Sequence, residues 1–164
     1  MEVKELHQSN LTEYRNFILR ALVEHSEFFR ISVEDEISAP FPTQSTEDSF
    51  TLGAMDDFGN LMGIVSFQRE GENRMKIRHK GLLFRMYVAQ EFTGKGIGRA
   101  LIQEVILRAK SLPNMEQINL TLVATNTRAK ELYLSFGFKT YGIERRAHKS
   151  KDLYYDEEFM ALKL

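Results

Sequence analysis

Apolar residues recur at helical spacing in some stretches of the chain and alternate, or gather in short runs, in others. Between Asn10 and Arg30, the residues Leu11, Tyr14, Phe17, Ile18, Ala21 and Leu22 share one helical face, with Asn10 as N-cap and Glu13 three residues on. From Ile31 to Glu47 the pattern breaks over Pro40, Pro42 and the acidic run Glu34-Asp35-Glu36, which predicts loop with room for a short helix. Two strand-like runs, Ser49–Met55 and Leu61–Arg69, flank the turn-rich Asp56-Asp57-Phe58-Gly59-Asn60 and should pair antiparallel. A second turn, Gly71-Glu72-Asn73, leads to the short run Met75–His79. Leu82–Val88 follows as a mostly apolar central strand, expected to be buried on both faces. A helix then begins at clustered glycines, with Ile97, Leu101, Val105 and Ala109 on one face, and stops at Pro113 and Asn114. Ile118, Leu120 and Leu122 alternate as a strand, and Ala129, Leu132, Tyr133 and Phe136 restore helical spacing up to Gly137 as C-cap. Phe138–Arg145 and Leu153–Leu164 close the chain as a strand pair joined by polar Arg146–Asp152. The class is α/β (α+β), and with no linker or repeat to divide it, 1–164 reads as one domain.

Composition narrows the function classes. Lys and Arg number 22 against 23 Asp and Glu, a net charge of −1, so the chain lacks the basic footprint of a nucleic-acid binder. With 43% hydrophobic and 27% charged residues it belongs among folded chains. The absence of cysteine excludes disulfides, thiolate metal sites and a cysteine nucleophile, and fits a reducing compartment. No apolar run approaches a membrane span and the N-terminus lacks a signal core, so the expectation is a cytoplasmic protein without membrane or nucleic-acid partners and without a metal.

The loop Gly94-Lys95-Gly96-Ile97-Gly98 lies between an apolar strand and an amphipathic helix. Glycines let backbone amides approach a ligand, and the N–H groups and partial positive charge of the following helix favour phosphate, so the pattern predicts a pyrophosphate site. The competing reading is a plain tight turn, although three glycines at alternate positions exceed what a turn requires. A P-loop would need four residues between its first Gly and a Gly-Lys-Ser/Thr, which this loop does not supply. A dinucleotide fingerprint would place the third glycine one position later, with an acid ending the next strand, and the strand near Val123 carries none. A nucleotide-dependent oxidoreductase therefore fails on spacing.

Val88, then four residues, Thr93, two residues, Gly96, one residue and Gly98 resemble the acetyl-CoA motif of the GNAT (GCN5-related) N-acetyltransferases, with Thr93 where Arg or Gln is usual. A second signature is similar too: Asn126, Ala129, Leu132-Tyr133 and Gly137-Phe138 follow the family pattern Asn-x-x-Ala-x-x-Leu-Tyr-x-x-x-Gly-Phe. The resemblance covers roughly residues 1–164 and is most specific over 82–138. It implies a GNAT-like mixed, mostly antiparallel central sheet flanked by helices, whose fourth and fifth strands splay apart to admit the pantetheine arm. It implies acetyl-CoA as cosubstrate and a primary amine as acceptor. By this analogy backbone groups of Met86, Tyr87 and Val88 pair with the pantetheine and acetyl carbonyl, and amides of Thr93, Gly94, Lys95, Gly96, Ile97, Gly98 and Arg99 hold the pyrophosphate. Lys95 and Arg99 can add charge where Thr93 departs from the pattern, Asn126 contacts the cofactor, and Tyr133 lies near its sulfur.

The chemistry needs such groups: an amine attacks a thioester carbonyl, negative charge develops on oxygen, and the sulfur leaves more easily when protonated. The Val88 N–H is the candidate oxyanion donor and Tyr133 the candidate general acid, the alternative for Tyr133 being core packing beside Ala129 and Phe136. Leu82–Val88 holds no carboxylate to act as base, which leaves a water chain or His79, Glu34, Asp35 or Glu36. The run Arg145-Arg146-Ala147-His148-Lys149-Ser150-Lys151 fits either a solvated hairpin or a surface for acidic groups, and Glu34-Asp35-Glu36 either an exposed loop or a site for a cationic amine. The expected function is direct acetyl transfer in a ternary complex, to a small-molecule amine, amino acid, polyamine, antibiotic or peptide N-terminus. The alternative is a non-catalytic acyl-CoA-binding or sensor module. Edge strands near the C-terminus leave a homodimer open.

Overall fold

The computed structural model describes residues 1–71 and 73–164, so the turn expected at Gly71-Glu72-Asn73 lies partly outside the described residues. Its elements are β1 (Glu2–Leu6), α1 (Leu11–Glu24), α2 (Val33–Ile37), β2 (Ser49–Met55), β3 (Leu61–Arg69), β4 (Lys80–Val88), α3 (Ile97–Ser111), β5 (Gln117–Val123), α4 (Thr127–Ser135), β6 (Lys139–Ser150) and β7 (Leu153–Lys163). Among the described residues the strands form one seven-stranded sheet in the order β1-β2-β3-β4-β5-β7-β6. Every pairing is antiparallel except that of β4 with β5. The expected mixed, mostly antiparallel sheet with flanking helices is the observed fold.

The sheet is covered on both faces. On one, α3 sets Ile97, Leu101, Val105 and Ala109 against Phe67, Leu83, Ile118 and Leu120. On the other, Tyr14, Phe17, Ile18 and Ala21 of α1 pack on Ile64 and Tyr87. The β2–β3 hairpin has the expected bounds, because the Asp56 carboxylate accepts from the amides of Phe58 at 2.9 Å and Asn60 at 2.8 Å and so ties the turn.

Several sequence expectations are corrected. The first helix ends at Glu24 rather than Arg30, and a 3-10 turn, Ser26–Phe28, follows it. Asn10 precedes α1, but its Oδ1 accepts from His7 N at 3.0 Å and caps the turn before the helix instead. Met75–His79 forms turns, and the edge strand β1 supplies the fourth strand before the glycines. Its charged residues Glu2, Lys4 and Glu5 mask the strand period, as is common at sheet edges. The polar stretch Arg146–Asp152 is mostly strand: β6 runs to Ser150, with a register shift between Glu144 and His148 and Arg146 at φ 54°.

Strand β4 is the correction that matters for function. Its parallel pairing with β5 covers only Lys80↔Gln117, Gly81↔Ile118 and Leu82↔Asn119, after which the two strands part. A bulge marked by Arg85 at φ 50° bends β4 where it faces β3. Met86 and Val88 are therefore half-buried rather than enclosed on both faces, and the gap they border is a cavity.

Candidate active site

The gap between β4 and β5 opens into a cavity of about 780 Å³ that reaches from the glycine loop to the end of α1. Its first wall is β4. Ala89 N donates to Met62 O at 3.0 Å, and alternation along the antiparallel ladder makes Tyr87–Ile64 the next hydrogen-bonded pair. The backbone N–H and C=O of Val88, in the intervening position, therefore point away from β3 toward the gap. The side chains divide: Met86 and Val88 pack with the α3 layer, whereas Tyr87 joins the α1 layer and its hydroxyl donates to Glu24 Oε2 at 3.1 Å. Burial, together with that donation to Glu24, pushes the Tyr87 hydroxyl up to about 12.

The glycine loop forms the second wall, and its glycines are needed for different reasons. Gly94 and Gly96 have φ of 78° and 80°, a region that side-chain-bearing residues rarely enter. At Gly98 the constraint is space, because a Cβ would lie 3.0 Å from Leu132 Cδ2 and 3.2 Å from Met86 Cε. Gly96 caps α3, whose first bond runs from Ala100 N to Gly96 O, leaving the amides of Ile97, Gly98 and Arg99 without helical partners at its positive end. Thr93 lines the cavity too, but its amide and hydroxyl both donate to Gln90 O, at 3.2 and 2.8 Å. The charged residues are less free than the sequence suggests. Lys95 is not part of the cavity wall and its Nζ lies 5.1 Å from the Phe92 ring centre, while Arg99 donates to Ser135 Oγ at 2.9 Å and stacks on Phe136.

The start of α4 forms the third wall. Asn126 caps this helix, its Oδ1 accepting from Ala129 N at 3.2 Å, so its amide NH₂ is what remains for a ligand. Tyr133, two turns on, is 5% exposed, lines the cavity and packs edge-on against Phe138. Its hydroxyl makes no hydrogen bond among the described residues, and burial pushes its pKa well above the ordinary tyrosine range.

The carboxylates considered as bases lie elsewhere. Glu34 and Asp35 are exposed in the first turn of α2, and His79 precedes β4 at the end opposite Val88. Glu36 is 1% exposed, with Arg85 Nη1 2.8 Å from its Oε2. Arg85 Nη1 donates to Tyr14 OH at 2.8 Å, and with the ion pair to Glu36 this pins α1 and α2 to the bulge of β4. The acid that does line the cavity is Glu157 of β7, opposite Val123 and 1% exposed. Sequence reasoning placed it on the last strand without assigning it a role; a carboxylate inside a strand that must be covered was the available signal. Also missed were His25, Phe28, Phe29 and Arg30, which line the cavity because α1 stops early.

A model of the acetyltransferase (GNAT) family matches residues 6–138. The chain is 39% identical over 85 residues to the N-acetylaspartate synthetase of Danio rerio, covering 51% of this chain and 28% of that protein. It is 31% identical over 112 residues to an uncharacterised N-acetyltransferase of Schizosaccharomyces pombe, covering 66% of this chain and 63% of that one. The matches thus span less than two thirds of either relative. A solved GNAT acetyltransferase from Streptococcus pneumoniae shares the fold at a TM-score of 0.85 and 23% identity, with 99% of each chain covered.

Proposed function

The chain belongs to the GNAT acetyltransferase family, and from that premise we propose that it is an N-acetyltransferase, moving acetyl from acetyl-CoA to a primary amine by direct attack within a ternary complex. The observation that carries this reading is the parting of β4 and β5 beyond Leu82↔Asn119, with an open glycine loop at one end of the gap and a buried tyrosine beside it. The residues present fit acetyl-CoA. Unpartnered amides at Ile97, Gly98 and Arg99 suit a pyrophosphate, the Asn126 amide supplies a further donor, and backbone groups of Met86 and Val88 face the gap where the pantetheine arm would pair. Acetyl-CoA brings an acetyl group activated as a thioester.

Each protein group then has one task. The Val88 N–H donates to the carbonyl oxygen as negative charge develops there. The Tyr133 hydroxyl, kept protonated by burial, gives its proton to the departing sulfur, and the proton shed by the attacking amine passes to solvent, from which the Tyr133 hydroxyl is restored. The walls of β4, α3 and α4 hold the reacting atoms together and limit competing hydrolysis. The aromatic rings of Phe28, Phe29 and Tyr87 border the opposite mouth, where an amine would enter. A relative named for N-acetylaspartate puts amino acids among the acceptors to be tried.

Free-CoA release, followed with a thiol reagent, tests the proposal; the lack of cysteine keeps the background low. The expected result is release that depends on an amine from a panel of amino acids, polyamines, aminoglycosides and peptides. Stabilisation by acetyl-CoA with no release would favour the binding-module reading, and no stabilisation would remove the cofactor assignment.

A further inference from the structure

The acceptor half of the cavity contains a buried ionic group for which the transfer steps above have no use. Glu157 Oε2 accepts from Arg30 Nε at 2.6 Å and from Arg30 Nη2, and Glu157 Oε1 lies 3.2 Å from His148 Nδ1. The other ring nitrogen, His148 Nε2, is 3.2 Å from the carbonyl oxygen of Glu27. The Glu157 carboxylate thus stands between the Arg30 guanidinium and the His148 ring, on which Tyr155 stacks.

Arg30 is the member of this group whose charge reaches the cavity. Its side chain is 54% exposed, against 12% for His148 and 2% for Glu157. Glu157 holds the Nε and Nη2 positions, and Nη1 has no hydrogen bond among the described residues. The remaining acid near it, Glu144, is exposed and stands 3.9 Å away. Of the other guanidinium groups on the cavity wall, Arg85 is held by Glu36 and Tyr14, while Arg99 and Arg128 stand in the first turns of α3 and α4, beside the glycine loop and Asn126 rather than at this mouth. A fork braced on one side and open on the other suits a planar anion.

We propose that Arg30 binds a carboxylate of the acceptor, so that the substrate class is an amino acid or another amine carrying a carboxylate close by, with Glu157 and His148 as positioning residues; this rests on the N-acetyltransferase reading. Phe28, Phe29 and Tyr87, lining the same mouth, give an apolar side chain a surface next to the fork.

Matched acceptors test it. Free-CoA release is measured for phenylalanine, phenylalaninamide and 2-phenylethylamine, and for leucine, leucinamide and 3-methylbutylamine. The amides offer the less basic, more readily deprotonated amine, so preference for the acid over the amide reports on the carboxylate. The expected kcat/KM favours the acids about 10- to 100-fold, chiefly through KM, as for one charge-assisted contact. Arg30→Gln should abolish the preference and Arg30→Lys restore part of it, with thermal stabilisation by acetyl-CoA retained. Glu157→Gln should raise KM for the acids and leave that for the amides in place, a split that a merely structural role would not give. Since Arg30→Gln orphans a buried carboxylate, the double variant with Glu157→Gln is measured beside it. Amides and amines used as well as the acids would overturn the inference and leave the transferase standing. Silence with all six, against release with amines that carry no carboxylate, would overturn it equally, whereas silence with every amine would defeat the transferase reading itself.

Discussion

The Tyr133 side chain has one polar atom, and among the described residues it has no hydrogen-bond partner at the edge of a cavity. A buried hydroxyl is seldom left unbonded in a core, which sets the acid role above simple packing. Tyr133→Phe should therefore lower kcat about 10²- to 10⁴-fold with little change in the Kd for acetyl-CoA or in Tm, checked by steady-state kinetics and thermal melts. Full activity in the variant would remove the assignment. Tyr133 and the glycines could be found from sequence because their roles depend on residue type at fixed spacing. Glu157 could not be singled out in the same way. Neighbouring Asp156 and Glu158 are equally acidic, and only the strand's alternation decides that Glu157 turns to Arg30 and His148 while Glu158 turns to Lys130 and Thr140.

Among the elements, the turn into α3 and the gap beside β4 do most to shape the site. A Cβ at Gly96 would meet nothing within 4 Å, so an alanine there acts through backbone strain alone, at φ 80°. Gly96→Ala should cost about 1–2 kcal/mol, or about 2–8 °C in Tm, and weaken acetyl-CoA binding roughly tenfold by turning the loop amides. Calorimetry on both proteins checks this, and unchanged affinity would mean that those amides do not hold the cofactor. The hairpin β2–β3 and the face of α3 were legible because period and turn residues agree. Strand β4 was misread as doubly buried because apolar residues that line a ligand gap give the same pattern as those that face a second layer. The end of α1 was overrun for a related reason: Phe28, Phe29 and Arg30 continue the amphipathic composition into a turn that faces the cavity.

At the scale of the molecule, the two apolar layers bury tyrosines at or beside the site. Burial pushes the Tyr14 hydroxyl up to about 12, partly opposed by Arg85 beside it, and raises Tyr87 and Tyr133 as well. In the unfolded chain these groups lose their protons near pH 10, whereas the folded chain retains them, so the stability they contribute is complete below pH 10 and is lost as pH rises through the folded values. For Tyr14 the two-unit difference amounts to about 3 kcal/mol. Tm should hold steady up to about pH 10 and fall steeply above it, and Tyr14→Phe should flatten that fall; an unchanged alkaline limb in the variant would show that the hydroxyl is not responsible. The family resemblance implied the mixed sheet and its splayed fourth and fifth strands but not the full strand order, because nothing in local periodicity tells β7 to insert between β5 and β6. The end of the cavity away from the glycine loop was illegible for a related reason: it gathers Arg30, His148 and Glu157 from distant parts of the chain.

The central claim is that acetyl passes across the β4–β5 gap directly to an amine. Acetyl-CoA labelled with ¹³C in the acetyl group, incubated with the protein and an acceptor and followed by mass spectrometry of both, tests it most directly. The acceptor should gain one labelled acetyl group on its amine while the protein mass stays unchanged throughout. A labelled protein that forms and then decays, or an acceptor that never gains the label, would contradict it.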